Sequence, residues 1–152
     1  MRALLAGVAL LLALAGCGRE PGDGRLLALE DYRGRSLVVN YWAEWCTPCI
    51  AEIPELNALD RAYPDVAVVG VNFDGATGDE LAAQLDKLGV AFPTLPADPA
   101  PSLGIARPAV LPTTLILDPA GRLTATLVGP QTLESLARAT GKTPPESETG
   151  QP

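Results

Sequence analysis

Apolar positions along this chain follow two rhythms. Leu37-Val38-Val39, within Ser36 to Tyr41, and Val66 to Val71 are continuous, β-branched runs, the pattern of strands covered on both faces. Between them Ile50, Ile53, Leu56, Leu59 and Tyr63 recur at helical spacing and predict a helix from about Thr47 to Tyr63. Pro54 lies inside that helix, so a kink is expected there. Thr77-Gly78-Asp79-Glu80 has the spacing of a capping box, Leu81, Leu85 and Leu88 follow on one face, and Gly89 is the stop. Thr113 to Leu117 and Leu123 to Val128, joined by Asp118-Pro119-Ala120-Gly121, read as a hairpin, and a last helix runs from about Gln131 to Ala139. Two stretches carry weaker patterns. Leu26 to Leu29, before the Gly-containing turn Asp31 to Arg35, predicts a hairpin or short edge strand. The proline-rich region Ala91 to Pro112 predicts a short strand at Phe92 to Leu95 and a helical turn near Ser102 to Ala106. Together these elements describe an α/β domain over residues 26–140, with a mixed central β-sheet flanked by helices and no internal repeat.

The ends of the chain break the pattern. After Met1-Arg2 comes an apolar run of about 13 residues, the length of a secretory signal and short of the roughly 20 that a membrane span needs. Ala13-Leu14-Ala15 would serve as an ordinary cleavage site, but Leu14-Ala15-Gly16-Cys17 resembles the lipobox of bacterial lipoproteins. In that family the chain is cut before the cysteine, which is then acylated. Residues 1–16 are therefore expected to be a lipoprotein signal peptide, Cys17 the lipidation site, and 17–25 a turn-rich tether. Acyl chains worth about 0.8 kcal/mol per buried methylene would hold such a protein on a membrane, outside the cytoplasm. Residues 141–152 hold two adjacent prolines and almost no apolar side chain, and read as a disordered tail.

Composition narrows the chemistry. The 152 residues carry a net charge of −7 with no Lys/Arg-rich stretch, which argues against nucleic acid and against a polybasic membrane face. A monomer is expected. There is no histidine, which removes Ser-His and Cys-His nucleophile pairs, His-bound metals and a His haem ligand.

What remains is Trp42 to Pro54, WAEWCTPCIAEIP, with two of the three cysteines. A structural zinc site wants four ligands and finds two thiols here. Haem attachment fails because Ile50 follows Cys49. A disulfide across so short a loop constrains little chain entropy, so a purely structural staple is weak. Copper(I) could use two thiolates alone, which leaves an envelope copper-binding protein as an alternative, although a single methionine and no histidine argue against it. A peroxidase would want a Thr-x-x-Cys arrangement of the peroxiredoxin kind, which is absent. A redox pair has positive support. Cys46 falls where strand gives way to helix, so its sulfur would face unsatisfied N–H groups and the positive end of the helix dipole, which favours a thiolate. Cys49 lies one turn later and could resolve a mixed disulfide. Pro48 suits the first helical turn. Trp45, beside the nucleophile, is expected at the partner-contact surface, and Trp42 in the core.

Val39 to Cys49, VNYWAEWCTPC, resembles the active-site stretch of the thioredoxin superfamily, and Pro54 matches its helix-kinking proline. Val110-Leu111-Pro112-Thr113-Thr114 resembles the loop that places a cis-proline beside the CxxC. Within the superfamily, LALEDYRGRSLVVNYWA, CIAEIPEL and LPTTLILDPAGRL are similar to the extracytoplasmic TlpA/ResA-like branch. The loop Ala106 to Val110 is slightly longer and more proline-bearing than that branch usually shows. The resemblance implies a thioredoxin-like fold with no cofactor beyond a Cys46–Cys49 redox-active disulfide. It implies a cis Pro112, with Trp45, Thr47, Pro48, Leu111 and Pro112 receiving an extended substrate segment. It further implies reduction of disulfide-bearing envelope proteins, for example in cytochrome c maturation, with recharging by a membrane-embedded thiol donor. An envelope thiol oxidase is the rival within the same fold.

Two positions depart from cytoplasmic thioredoxin: Asn40 stands where it has a buried aspartate, and Glu52 follows Cys49 by three residues. At about 100° per residue Glu52 lies within about 60° of Cys49 around the helix. Buried there, its carboxyl would have a raised pKa and could exchange a proton with Cys49. An exposed helix glutamate is the plain alternative. Asn40 cannot exchange protons and is expected to be a satisfied polar group.

Overall fold

The computed structural model describes residues 28–145. The signal segment, Cys17, the tether and residues 146–152 lie outside the described residues. A 3₁₀ turn, Leu29–Tyr32, leads into β1, Ser36–Trp42. There follow α1, Thr47–Ala62; β2, Val66–Asn72; α2, Gly78–Leu88; β3, Thr113–Leu117; β4, Leu123–Val128; and α3, Leu133–Ala139. The sheet order is β2-β1-β3-β4, with β1 parallel to β2 and antiparallel to β3, and β3 antiparallel to β4. The mixed sheet is as expected, and the two buried runs are its parallel neighbours β1 and β2.

Alternation along β1 divides the core. Leu37, Val39 and Tyr41 join Ala67, Val69, Val71, Leu115 and Leu117 on one face. Val38 joins Ile116 beneath Leu56 and Leu59 of α1 and Leu136 of α3 on the other. Asn40 and Trp42 share the parity of Val38, so β1 presents them towards α1. Thr114 pairs with Asn40 in the β1–β3 register and therefore shares that face.

Several local expectations are corrected. Leu29 opens a 3₁₀ turn rather than ending a strand, because the Asp31 carboxylate takes the Ala28 N–H at 3.1 Å and the Asp31 N–H returns to the Ala28 carbonyl. Local bonds of this kind compete with sheet pairing. The inward stripe of α1 begins at Cys49 and runs through Glu52, Ile53, Leu56 and Leu59, which leaves Ile50 exposed and Tyr63 half-buried at the C-cap. Thr77 is the N-cap of α2 but makes no side-chain capping bond: Gly78 follows with φ +57°, outside the geometry a capping box needs. The buried residue of α2 is Gln84, bonded to Asn72 at 2.8 Å, while Leu81, Leu85 and Leu88 are half-buried. The expected strand at Phe92 to Leu95 is a single bridge between Thr94 and Gly70, and the turn placed near Ser102 begins earlier, with Ile105 N–H reaching the Ala100 carbonyl at 3.1 Å. Residues 141–143 are tied to the domain: Lys142 pairs with Asp65, and the Tyr63 hydroxyl donates to the Thr143 carbonyl at 2.7 Å.

Candidate active site

The strand-to-helix junction lies where the sequence puts it. Cys46 is the N-cap of α1, Pro48 sits in the first turn, and the Cys49 N–H donates to Cys46 Sγ at 3.3 Å. This is the orphan-donor environment that stabilises a thiolate. Cys46 and Cys49 are joined in a disulfide. Trp42, which is fully buried, and Ala43 pack with both sulfurs and form the floor behind them. The Leu111–Pro112 bond is cis, as the resemblance implies. Thr113 Oγ1 and the Val110 carbonyl close the loop at 2.7 Å, and Gly129 N–H holds the Pro112 carbonyl at 2.9 Å.

An open groove of about 500 Å³ runs over this junction, lined by Trp45, Cys46, Thr47 and Pro48 on one side and Ala109, Val110, Leu111 and Phe73 on the other. Trp45 is 65 % exposed and Val110 56 %, with Trp45 Nε1 bonded to Asp74 Oδ2 at 2.8 Å. Of the expected contact residues, Trp45, Thr47, Pro48 and Leu111 line the groove, whereas Pro112 is buried just behind it. Phe73, Ala109 and Val110 complete the groove without a signal in the pattern. Phe73 follows the end of β2 and Ala109-Val110 precede β3, positions that the parallel β1–β2 and antiparallel β1–β3 pairings bring to one edge.

Glu52 is 1 % exposed and lies on the same side of α1 as buried Cys49. Its Oε1 accepts from Asn40 Nδ2 at 2.7 Å and from Thr114 Oγ1 at 3.2 Å, and its Oε2 from the Gln131 N–H at 3.0 Å. Burial pushes its pKa up from 4.5 to about 7, against the lowering effect of the Gln131 and Thr114 bonds. The exposed-glutamate alternative is excluded, and Asn40 is satisfied as expected, also donating to Thr114 at 3.0 Å. Thr114 and the Gln131 N–H were missed. Thr114 was readable as the residue opposite Asn40 once the β1–β3 register is known, but the Gln131 contact spans 79 positions and leaves no local trace.

The AhpC/TSA family matches residues 15–126, well over half of the chain. This chain belongs to the AhpC/TSA family. Among relatives of this family member, the thiol–disulfide oxidoreductase ResA of Bacillus anthracis is 29 % identical over 115 residues, covering 75 % of this chain and 66 % of that protein. The thiol:disulfide interchange protein HelX of Rhodobacter capsulatus is 33 % identical over 106 residues, covering 69 % of this chain and 58 % of that protein. The match thus spans slightly less than two thirds of these relatives' length. A secreted thiol–disulfide isomerase from Corynebacterium glutamicum superposes with a TM-score of 0.63 at 28 % identity, covering 74 % of this chain and 72 % of that one. The fold is thioredoxin-like and the relatives are of the ResA-like kind.

Proposed function

We propose that this chain is a lipid-anchored, extracytoplasmic thiol–disulfide oxidoreductase that reduces disulfides of envelope proteins, such as the haem-binding cysteines of c-type cytochromes. The observation that carries the reading is the Cys46–Cys49 disulfide at the tip of α1, at the mouth of an apolar groove beside a cis-proline. The names of ResA and HelX support the chemistry, the secreted isomerase supports the compartment, and the lipobox around Cys17 supports the anchor.

In the reduced protein the Cys46 thiolate, stabilised at the helix terminus, attacks one sulfur of a partner disulfide. A mixed disulfide forms, and the other partner sulfur leaves as a thiolate that takes a proton from water. The Glu52 carboxylate accepts the Cys49 proton, directly or through water. Cys49 then attacks the Cys46 sulfur, the Cys46–Cys49 bond forms, and the second partner thiolate is released. Two electrons have passed from the dithiol to the partner, and a membrane-embedded thiol donor must return them.

Cys46→Ser is expected to abolish dithiol-dependent reduction of a protein disulfide, measured as turnover with excess dithiothreitol. Undiminished turnover would refute the reading. The direction of flow is tested by the reduction potential of the pair: a value near ~−270 mV fits a reductant, whereas a value near ~−120 mV would mark an oxidase.

A further inference from the structure

Arg107 stands in the proline-bearing loop Ala106 to Val110, and its half-exposed side chain makes three contacts. Its guanidinium stacks on the Phe73 ring, 4.0 Å from the centroid, and Nη2 donates to the Phe73 carbonyl. Its Nε pairs with Asp98 Oδ2 at 2.8 Å. Asp98 in turn accepts from the Tyr41 hydroxyl at 2.7 Å and the Ala100 N–H at 2.9 Å. Tyr41 is fully buried on the sheet face opposite Asn40. Burial and the Asp98 bond raise its phenol above the ordinary value, so the hydroxyl stays protonated as a donor. A chain of contacts therefore runs from the sheet core through Asp98 and Arg107 to Phe73.

One of these residues lines the groove and the other adjoins its lining. Phe73, after β2, stands on the same side as Ala109, Val110 and Leu111, which Arg107 precedes in the chain. Among the described residues, no backbone N–H from 106 to 111 donates to another backbone carbonyl. The polar anchors of this segment are the Arg107 side chain and, at its far end, the Thr113 bond to the Val110 carbonyl. Such a loop takes its shape from side-chain contacts rather than from a ladder.

We propose that Arg107 is a positioning residue that determines substrate class: by clamping Phe73 to the 106–110 segment it holds the groove in shape for an extended polypeptide disulfide, and takes no part in thiol exchange. The inference rests on the oxidoreductase activity proposed above. The stacked geometry, with the guanidinium bridging Asp98 and the Phe73 carbonyl, matters more than the charge, since the ion pair is partly exposed and screened.

The test compares a polypeptide disulfide, insulin, with a small disulfide, cystamine, which is too short to span the groove. For Arg107→Ala the KM for insulin is expected to rise about fivefold or more, with kcat, the cystamine rate and the reduction potential unchanged. Arg107→Lys, which keeps the charge and loses the planar fork, is expected to lie between the two. This milder variant, checked for a parent-like denaturant midpoint, keeps the test decisive if the alanine variant is unstable. Wild-type levels with insulin for both variants would overturn the inference alone, as would an equal loss on both substrates or a shifted potential. A wild-type protein that reduces neither substrate would overturn the activity and the inference with it.

Discussion

Glu52 and Asp98 are carboxylates met by adjacent residues of β1 on opposite faces of the sheet, and they keep different company. Glu52, reached by Asn40, is bound only by neutral donors: an amide, a hydroxyl and a backbone N–H. Asp98, reached by Tyr41, has a guanidinium at 2.8 Å. A buried carboxylate without a counter-charge is poised to hold a proton near neutral pH, and burial raises Glu52 accordingly. One with an arginine serves as a fixed joint between segments. The same residue chemistry thus underlies both proposals, a proton site at Glu52 beneath α1 and a clamp built on Asp98 and Arg107.

The largest effect is expected from removing the proton site. Glu52→Gln keeps the shape and the acceptor at Oε1 but cannot take the Cys49 proton, so the resolving step should slow by on the order of 10²-fold. In the parent protein that step should accelerate as pH rises through about 7, where Glu52 ionises, whereas the variant should respond only near the ordinary thiol value of about 8.5. Stability has the opposite sign. Because the folded-state pKa is raised, the neutral carboxyl's contribution is fully present below 4.5 and is lost as pH rises through about 7. The loss is roughly 3 kcal/mol at about 1.4 kcal/mol per unit, and chemical denaturation across pH should show it in the parent and not in Glu52→Gln. A resolving step with the same pH profile in both proteins would remove Glu52 from the chemistry.

A second change would break the comparison from within. Asn40→Asp puts a carboxyl within hydrogen-bond reach of Glu52 Oε1, where two like charges cannot both ionise. The pair should then titrate in two steps, the upper one at least about one unit above the Glu52 value in the parent. Carboxyl-labelled NMR titration would read it. An unmoved titration would mean that Asn40 and Glu52 do not meet in solution.

The proton site was half legible in the sequence and the clamp was not legible at all. Helical geometry placed Glu52 beside Cys49 because both lie on one element, and the strand-to-helix junction, Pro54 and the hairpin are equally local. Thr114 and Gln131 arrive from β3 and the approach to α3, so their meeting with Glu52 depends on tertiary register. Asp98 and Arg107 lie in a proline-rich stretch with no period to read, and each contact they make with β1 or Phe73 crosses tens of residues. The misplaced strand at Leu29 and the unused capping box at Thr77 failed for another reason: a side-chain bond from Asp31 and a left-handed Gly78 override the pattern around them.

The smallest effect belongs to the joint that ties the clamp to the core. Tyr41→Phe removes one hydroxyl and leaves Asp98 with Ala100 N–H and Arg107, so no charge is orphaned. The expected loss is about 1 kcal/mol of stability, the net worth of one such bond, read by denaturant midpoint. If Asp98 is a joint of the groove wall, this variant should also raise the insulin KM, by about twofold, while the pH profile of the resolving step stays that of the parent. That pairing separates the two carboxylates, because a change at Tyr41 that moved the profile near pH 7 would mean that the two faces of β1 are coupled, and that the proton site depends on the clamp.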